Sequence, residues 1–380
     1  MKNIGVIGSG TMGVGIAQVA ASNGCNVKIF DVNTEQTTKS LDHLKKQLQK
    51  LVDKGKWTSS QMDEVLNRIL PITTLAEFHD ADCIIEAIIE DKTIKQRVFS
   101  DLEKIVRPDC ILASNTSSIS ITSLSSELQY SDRFIGIHFF NPAPLMQLVE
   151  IIPGLLTKEE LPQKMMELMS SWNKLPVIVK DIPGFLVNRI ARPFYGEALR
   201  IVEENIADVF QVDLAMKMIG NFKMGPFELM DLIGIDVNFS VTKTVYQDYF
   251  FDPKYKPSLL QQRMVEAKLL GRKASKGFYE YGDDIVLVEP IIDSGLFEKI
   301  FLRIISMLVN EAVEAKRLQL ASDEAIDTAM LKGVNYPKGL LVWGEEIGWA
   351  KISETLQKLY DLYGEERYRQ SPLLKELAGK

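Results

Sequence analysis

Residues 5–17 read Gly-Val-Ile-Gly-Ser-Gly-Thr-Met-Gly-Val-Gly-Ile-Ala. An apolar run, Ile4 to Ile7, leads into Gly8, Gly10 and Gly13, and an amphipathic stretch from Met12 to Ser22 follows. The order predicts a strand, a tight turn and a helix. Gly8 permits the turn, Gly10 lets backbone approach a pyrophosphate, and Gly13 lets the helix pack close to the strand. The open N–H groups at the helix start favour phosphate charge. Thr11 and Met12 complete this turn. Asp31 follows Gly13 by 18 residues, at the end of a second apolar strand from Val27 to Phe30. A carboxylate there can accept hydrogen bonds from ribose hydroxyls and repels a 2′-phosphate, so the pattern points to NAD rather than NADP.

The rest of the first half continues the alternation. Cys83 to Ala87, Ile111 to Ser114, Phe134 to His138, Leu148 to Ile152 and Pro176 to Val179 read as strands, with helical patterns over 34–53, 92–106 and 158–172. Such alternation predicts a mostly parallel sheet covered by helices, the α/β Rossmann type. After Asp181 the pattern becomes helical, which places a domain boundary near residue 182. Within the helical half, a shift of 114 residues lays Arg189-Ile190 on Arg303-Ile304, Glu197-Ala198 on Glu311-Ala312 and Asp213 on Asp327. Asn221, Gly225 and Gly234 fall on Asn335, Gly339 and Gly348. Matched glycines and an asparagine are not demanded by helix patterning, so a duplicated helical module is expected. The expected division is a nucleotide-binding domain over 1–181, a helical domain over 182–285, a linker within 279–296, and a second helical repeat over 296–380.

The chain of 380 residues has 46% hydrophobic and 25% charged residues, ordinary values for globular domains. Its net charge of −7 disfavours nucleic acid as a partner. The three cysteines, Cys25, Cys83 and Cys110, make neither a disulfide framework nor a metal-ligand pattern, so no metal is expected and a reducing cytoplasm fits. No apolar run reaches the ~18 residues of a membrane span.

Of three histidines, His43 and His79 lie in polar segments. His138 ends the apolar strand Arg-Phe-Ile-Gly-Ile-His and enters Phe-Phe-Asn-Pro-Ala-Pro. Glu150 sits 12 residues on, inside Leu-Val-Glu-Ile-Ile. A carboxylate buried in such a strand needs a partner. The turn at Asn141 to Pro144 can fold its strand beside that of His138. A His–Glu pair fixes the imidazole tautomer and stabilises the cation formed on taking a proton. Oxidation of an alcohol by a nicotinamide requires such a base.

With these strings the sequence resembles the 3-hydroxyacyl-CoA dehydrogenase family, most closely its short-chain 3-hydroxybutyryl-CoA members. The resemblance runs over about residues 1–282 and includes Ile-Ile-Glu-Ala-Ile-Ile-Glu-Asp, Ala-Ser-Asn-Thr-Ser-Ser-Ile-Ser-Ile-Thr, Lys-Asp-Ile-Pro-Gly-Phe-Leu-Val-Asn-Arg-Ile, Met-Gly-Pro-Phe-Glu-Leu-Met-Asp-Leu-Ile-Gly and Gly-Arg-Lys-Ala-Ser-Lys-Gly-Phe-Tyr-Glu-Tyr. It implies reversible NAD-dependent oxidation of an (S)-3-hydroxyacyl-CoA, with His138 as base and Glu150 as its partner. It also implies that Ser117 and Asn188 hold the substrate oxygen, and that Glu90, Lys95 and Asn115 lie at the nicotinamide side. Lys50 and Lys54, one helical turn apart in an acidic protein, become candidates for the CoA phosphates. The simplest members end near Tyr281 and pair as dimers through their helical domains. The additional repeat, which carries Leu302 where the first has Asn188, is therefore expected to be structural. It would pair with the first repeat inside the chain, as an alternative to a homodimer. Two other functions share the core: oxidation of a free hydroxy or sugar acid, and a non-catalytic NAD-binding structural role.

Overall fold

The computed structural model describes residues 1–282 and 292–379 and divides into two compact units, Met1–Phe185 and Leu186–Lys380. The expected end of the first helical domain, at residue 285, and the core of the linker lie outside the described residues.

The first unit runs β1 (Asn3–Ile7), α1 (Thr11–Ser22), β2 (Asn26–Phe30), α2 (Thr34–Asp53), α3 (Ser59–Asn67), β3 (Ile69–Ile72), β4 (Cys83–Glu86), α4 (Lys92–Glu103), β5 (Ile111–Ser114), α5 (Ile121–Ser125), β6 (Phe134–Phe139), β7 (Leu148–Pro153), α6 (Leu161–Ser171) and β8 (Leu175–Ile178). The sheet order is β3-β2-β1-β4-β5-β6-β7-β8. All pairings are parallel except β6 with β7. The first six strands thus follow the doubly wound dinucleotide-binding order, whose switch point lies between β1 and β4. Strands β4, β5 and β6 are wholly buried, as continuous apolar runs covered on both faces must be.

Three elements of the first unit escaped the sequence pattern, the five-residue α5 among them. β3, Ile-Leu-Pro-Ile, carries Pro71, which argues against a central strand; it lies at the sheet edge, where a missing N–H is tolerated. α3 is short, and its strongest signal is a capping box in which Thr58 and Gln61 exchange side-chain and backbone bonds.

The second unit holds α7 (Val187–Glu203), α8 (Val209–Gly220), α9 (Pro226–Ile233), α10 (Ile235–Asp248), α11 (Leu259–Glu266), α12 (Ser294–Arg317), α13 (Asp323–Gly333), α14 (Leu340–Ile347), α15 (Trp349–Tyr363) and α16 (Pro372–Ala378). α7 to α11 recur in order as α12 to α16. The long helix α12 buries most of its circumference against α7, α8, α14, α15 and α16, which makes it the axis of the unit. The repeats also exchange buried ion pairs. Arg189 lies 3.5 Å from Glu311, and Arg303 lies 2.6 Å from Glu197, so each arginine pairs with the glutamate of the other repeat. Tyrosine hydroxyls complete both clusters: Tyr255 donates to Glu311 at 2.8 Å and Tyr368 to Glu197 at 2.7 Å. A residue of repeat one meeting its counterpart's partner in repeat two is the signature of two-fold pairing.

Candidate active site

The turn after β1 has the geometry its glycines demand. Gly8 adopts φ +98°, and its N–H donates to the Phe30 carbonyl at 2.8 Å. A Cβ on Gly13 would collide with the Gly8 carbonyl oxygen, so helix and turn touch backbone to backbone. Gly10 differs: a Cβ there would meet nothing within 4 Å. Gly10 and Thr11 are exposed and Met12 is half-buried. α1 starts at Gly10 with no side-chain cap and no acidic residue in its first turn. Open space beside an uncapped helix start fits a pyrophosphate. Asp31, half-buried just past β2, accepts the Ser9 N–H at 2.7 Å and the Ser9 hydroxyl at 3.0 Å, and its other oxygen accepts the Asn33 N–H at 3.0 Å. It therefore holds the glycine turn.

Beyond β4, a buried charge network organises the next loop. The Lys95 ammonium, 1% exposed, lies 2.6 Å from Glu86 and 3.2 Å from Glu90. Glu86 also accepts the Ser114 hydroxyl at 2.6 Å and the Ile88 N–H at 2.7 Å. Glu90 receives the Thr116 hydroxyl at 2.6 Å, the N–H groups of Ser117 and Ser118 at 3.0 and 3.2 Å, and the Ser118 hydroxyl at 2.9 Å. Burial pushes the Glu90 carboxyl up, but Lys95 and these donors outweigh it and hold it below its ordinary value. Ser117, half-buried, also directs its hydroxyl toward Glu90 at 3.4 Å. Glu86 was missed by sequence reasoning, although a lone acid closing the apolar run Cys-Ile-Ile-Glu signals a buried partner.

β6 and β7 form the antiparallel hairpin in which His138 stands directly opposite Glu150. The His138 Nδ1 lies 2.7 Å from Glu150 Oε2, with the His138 side chain 8% and the Glu150 side chain 0% exposed. A carboxylate can only accept, so Nδ1 carries the hydrogen and Nε2 keeps its lone pair. The rings of Phe140 and Phe185 lie 4.6 and 5.8 Å from the imidazole and keep its surroundings apolar. The Asn115 amide oxygen accepts the Phe139 N–H at 2.8 Å, which ties the loop after β5 to the end of β6. The connecting turn is clamped by Lys174, whose buried ammonium donates to the carbonyls of Ala143 at 2.6 Å and Met146 at 2.8 Å. Burial without a carboxylate partner pulls that lysine below its ordinary value. Nothing in the sequence pattern marked Lys174.

The other candidates lie each within its own unit. Lys50, in the last turn of α2, and Lys54, at its C-cap, are exposed. Asn188 opens α7 in the second unit, where its side-chain oxygen accepts a long 3.5 Å bond from Arg192. His43 and His79 are exposed, and the three cysteines are buried and free. Among the described residues no cluster of His, Cys, Asp or Glu could hold a metal, and no helix is long and apolar enough to cross a membrane.

The NAD-binding-domain model of the 3-hydroxyacyl-CoA dehydrogenases matches residues 3–182, and the C-terminal-domain model of the same family matches 184–281 and 300–380. The chain belongs to the 3-hydroxyacyl-CoA dehydrogenase family. It is an NAD-dependent oxidoreductase of that family. The 3-hydroxyadipyl-CoA dehydrogenase of Escherichia coli K12 is 36% identical over all of this chain and 98% of its own. The 3-hydroxybutyryl-CoA dehydrogenase of Clostridioides difficile is 45% identical over 73% of this chain and 99% of its own. The crystal structure of a 3-hydroxybutyryl-CoA dehydrogenase from Escherichia coli K12 superposes with a TM-score of 0.92 at 35% identity, covering 99% of this chain and 98% of that one. The dehydrogenase therefore shares its fold with a relative over both helical repeats.

Proposed function

We propose that this dehydrogenase oxidises short-chain (S)-3-hydroxyacyl-CoA thioesters, 3-hydroxybutyryl-CoA first among them, and that His138 is the catalytic base. The observation that carries the reading is the buried His138–Glu150 pair at 2.7 Å. The Nε2 lone pair takes the hydroxyl proton of the substrate, and the Glu150 carboxylate stabilises the imidazolium that results. On the family pattern, Ser117 and Asn188 hold the substrate oxygen, and Glu90 fixes the backbone and hydroxyl of Ser117. Bound NAD supplies the acceptor for the hydride that leaves C3. Gly8, Gly10, Thr11, Met12, Gly13 and Asp31 bind its pyrophosphate and adenosine ribose, with Glu90, Lys95 and Asn115 at the nicotinamide side. Lys50 and Lys54 receive the CoA phosphates.

A dicarboxylic 3-hydroxyacyl-CoA is the second reading, favoured by the full-length match to the hydroxyadipyl relative. kcat/KM measured on a series of 3-ketoacyl-CoAs from C4 to C16, with the adipyl compound included, separates the two. A maximum at C4 supports the first reading, and a maximum at the adipyl compound replaces it with the second. Free hydroxy acids should be poor substrates.

A further inference from the structure

Asn188 and Arg192 stand one helical turn apart on α7, where residues four apart share a face. The buried Arg192 guanidinium engages Asn188 at two atoms. Its Nε donates to the Asn188 carbonyl at 2.8 Å, and its Nη2 reaches the Asn188 side-chain oxygen at 3.5 Å. α10 supplies the other acceptors: Nη1 donates to the Thr242 hydroxyl at 3.1 Å and to the Asn238 carbonyl at 3.5 Å. The Asn238 side chain is fixed in turn, its oxygen accepting the Gln261 amide at 2.9 Å. The Tyr195 ring lies 5.0 Å from Arg192 Cζ.

All of these partners are neutral. Among the described residues Arg192 pairs with no carboxylate, whereas each of the other buried arginines of the helical unit does: Arg189 with Glu311, Arg303 with Glu197 and Arg367 with Glu365. Burial pulls the Arg192 guanidinium below the ordinary arginine value, yet an arginine keeps its proton in a protein. A buried cation without a counter-charge is costly, so packing alone does not account for it.

The second repeat shows that the fold does not need it. The shift of 114 residues lays Asn188 on Leu302, Arg192 on Ser306, Asn238 on Ile352 and Thr242 on Leu356. Ser306, Ile352 and Leu356 are buried. α12 and α15 thus carry three aliphatic residues and a serine where α7 and α10 carry a cation with amide and hydroxyl neighbours. Arg189, which makes a structural ion pair, is by contrast matched by Arg303. The unpaired cation is confined to the repeat that contains Asn188.

We propose that Arg192 is a positioning residue that acts through Asn188; this rests on the reading that Asn188 holds the oxygen on C3 of the substrate. A guanidinium offers only donors, so the Asn188 amide must turn its oxygen toward Arg192. The Nδ2 group, which has no acceptor among the described residues, is left to donate to the substrate oxygen. As His138 takes the hydroxyl proton, negative charge builds on that oxygen. An N–H donor held in place beside an unpaired cation stabilises the charge without reorienting at the moment of transfer. A lysine supplies the charge but not a fork that reaches both Asn188 oxygens.

The test measures kcat and KM of full-length variants on whichever of 3-hydroxybutyryl-CoA and 3-hydroxyadipyl-CoA is turned over faster, with Tm and Kd for NAD as checks of folding. Asn188→Ala should lower kcat by about 10²–10³-fold, the loss typical of one donor to a developing oxyanion. Arg192→Met removes the charge and the fork. It should lower kcat by about tenfold or more with KM for acyl-CoA and Kd for NAD near wild type, as expected of an interaction that strengthens only in the transition state. Added to Asn188→Ala, it should lower kcat no further. Arg192→Lys should fall between wild type and Arg192→Met, and it carries the same double-variant test if Arg192→Met does not fold. Wild-type kcat in Arg192→Met, or losses that multiply in the double variant, overturn the proposal. Wild-type kcat in Asn188→Ala overturns the reading of Asn188 itself, and the proposal with it.

Discussion

Asp31 accepts both the backbone N–H and the hydroxyl of Ser9, at 2.7 and 3.0 Å. The carboxylate proposed to read the ribose thus also fastens the turn proposed to receive the pyrophosphate. Each hydrogen bond to a charged group contributes roughly 1.5–3 kcal/mol. Asp31→Ala should therefore raise KM for NAD by about tenfold to a hundredfold, whereas Ser9→Ala, which removes the hydroxyl alone, should raise it only a few fold. Equal effects of the two substitutions would show that the carboxylate acts through the Ser9 hydroxyl alone and does not itself read the ribose.

The glycines of the turn predict opposite signatures. Gly13→Ala drives a methyl into the Gly8 carbonyl and should lower Tm and abolish NAD binding together. Gly10→Ala meets nothing within 4 Å and should leave Tm unchanged while raising KM for NAD at least tenfold. Thermal unfolding and NAD titration of both variants check the pair.

The exchanged ion pairs of the helical unit carry a pH dependence. Burial pushes the Glu311 carboxyl up, but Lys254 at 2.6 Å and Arg189 outweigh it and hold it down at about 2. A depressed carboxylate contributes stability that is present above its unfolded pKa and is lost as pH falls through the folded value. Glu311→Gln leaves two buried cations uncompensated and should cost about 3–5 kcal/mol near neutral pH. The Tm difference from wild type should shrink as the pH falls toward 2. A difference that stays constant with pH would show that the pair is not the source.

Much of the helical duplication was legible because the repeated residues answer local demands. Asn221 and Asn335 both end their helices in the left-handed region, at φ 54° and 55°, where asparagine is well tolerated. Gly225 and Gly339 are both pressed against the aspartate that caps the next helix, where a Cβ would collide. These constraints act within one repeat and leave a mark in its residues. The partners of Lys95 and Lys174 left a weaker mark. Glu86 lies nine residues before Lys95 across a strand-to-helix connection, and the carbonyls held by Lys174 belong to a turn that carries no charge. β3 was hidden because Pro71 is a poor strand residue everywhere except at an edge, and edges are a property of the assembled sheet.

Lys50 and Lys54 predict a salt-sensitive substrate interaction. Exposed charge pairs contribute about 0.2–1 kcal/mol each. Lys50→Glu with Lys54→Glu should raise KM for acyl-CoA several fold at low ionic strength, less at high salt, with KM for NAD unchanged. Unchanged KM for acyl-CoA across the salt range would remove both lysines from the CoA site.

The proposed chemistry rests on the imidazole held by Glu150, and its removal is the most direct test. A positioned general base contributes about 10²–10⁴-fold to rate. Oxidation of (S)-3-hydroxybutyryl-CoA by His138→Gln, measured beside the Kd for NAD, should fall by about that factor while NAD binds as in the wild type. Turnover near the wild-type rate in that variant would contradict the assignment of His138 as the base.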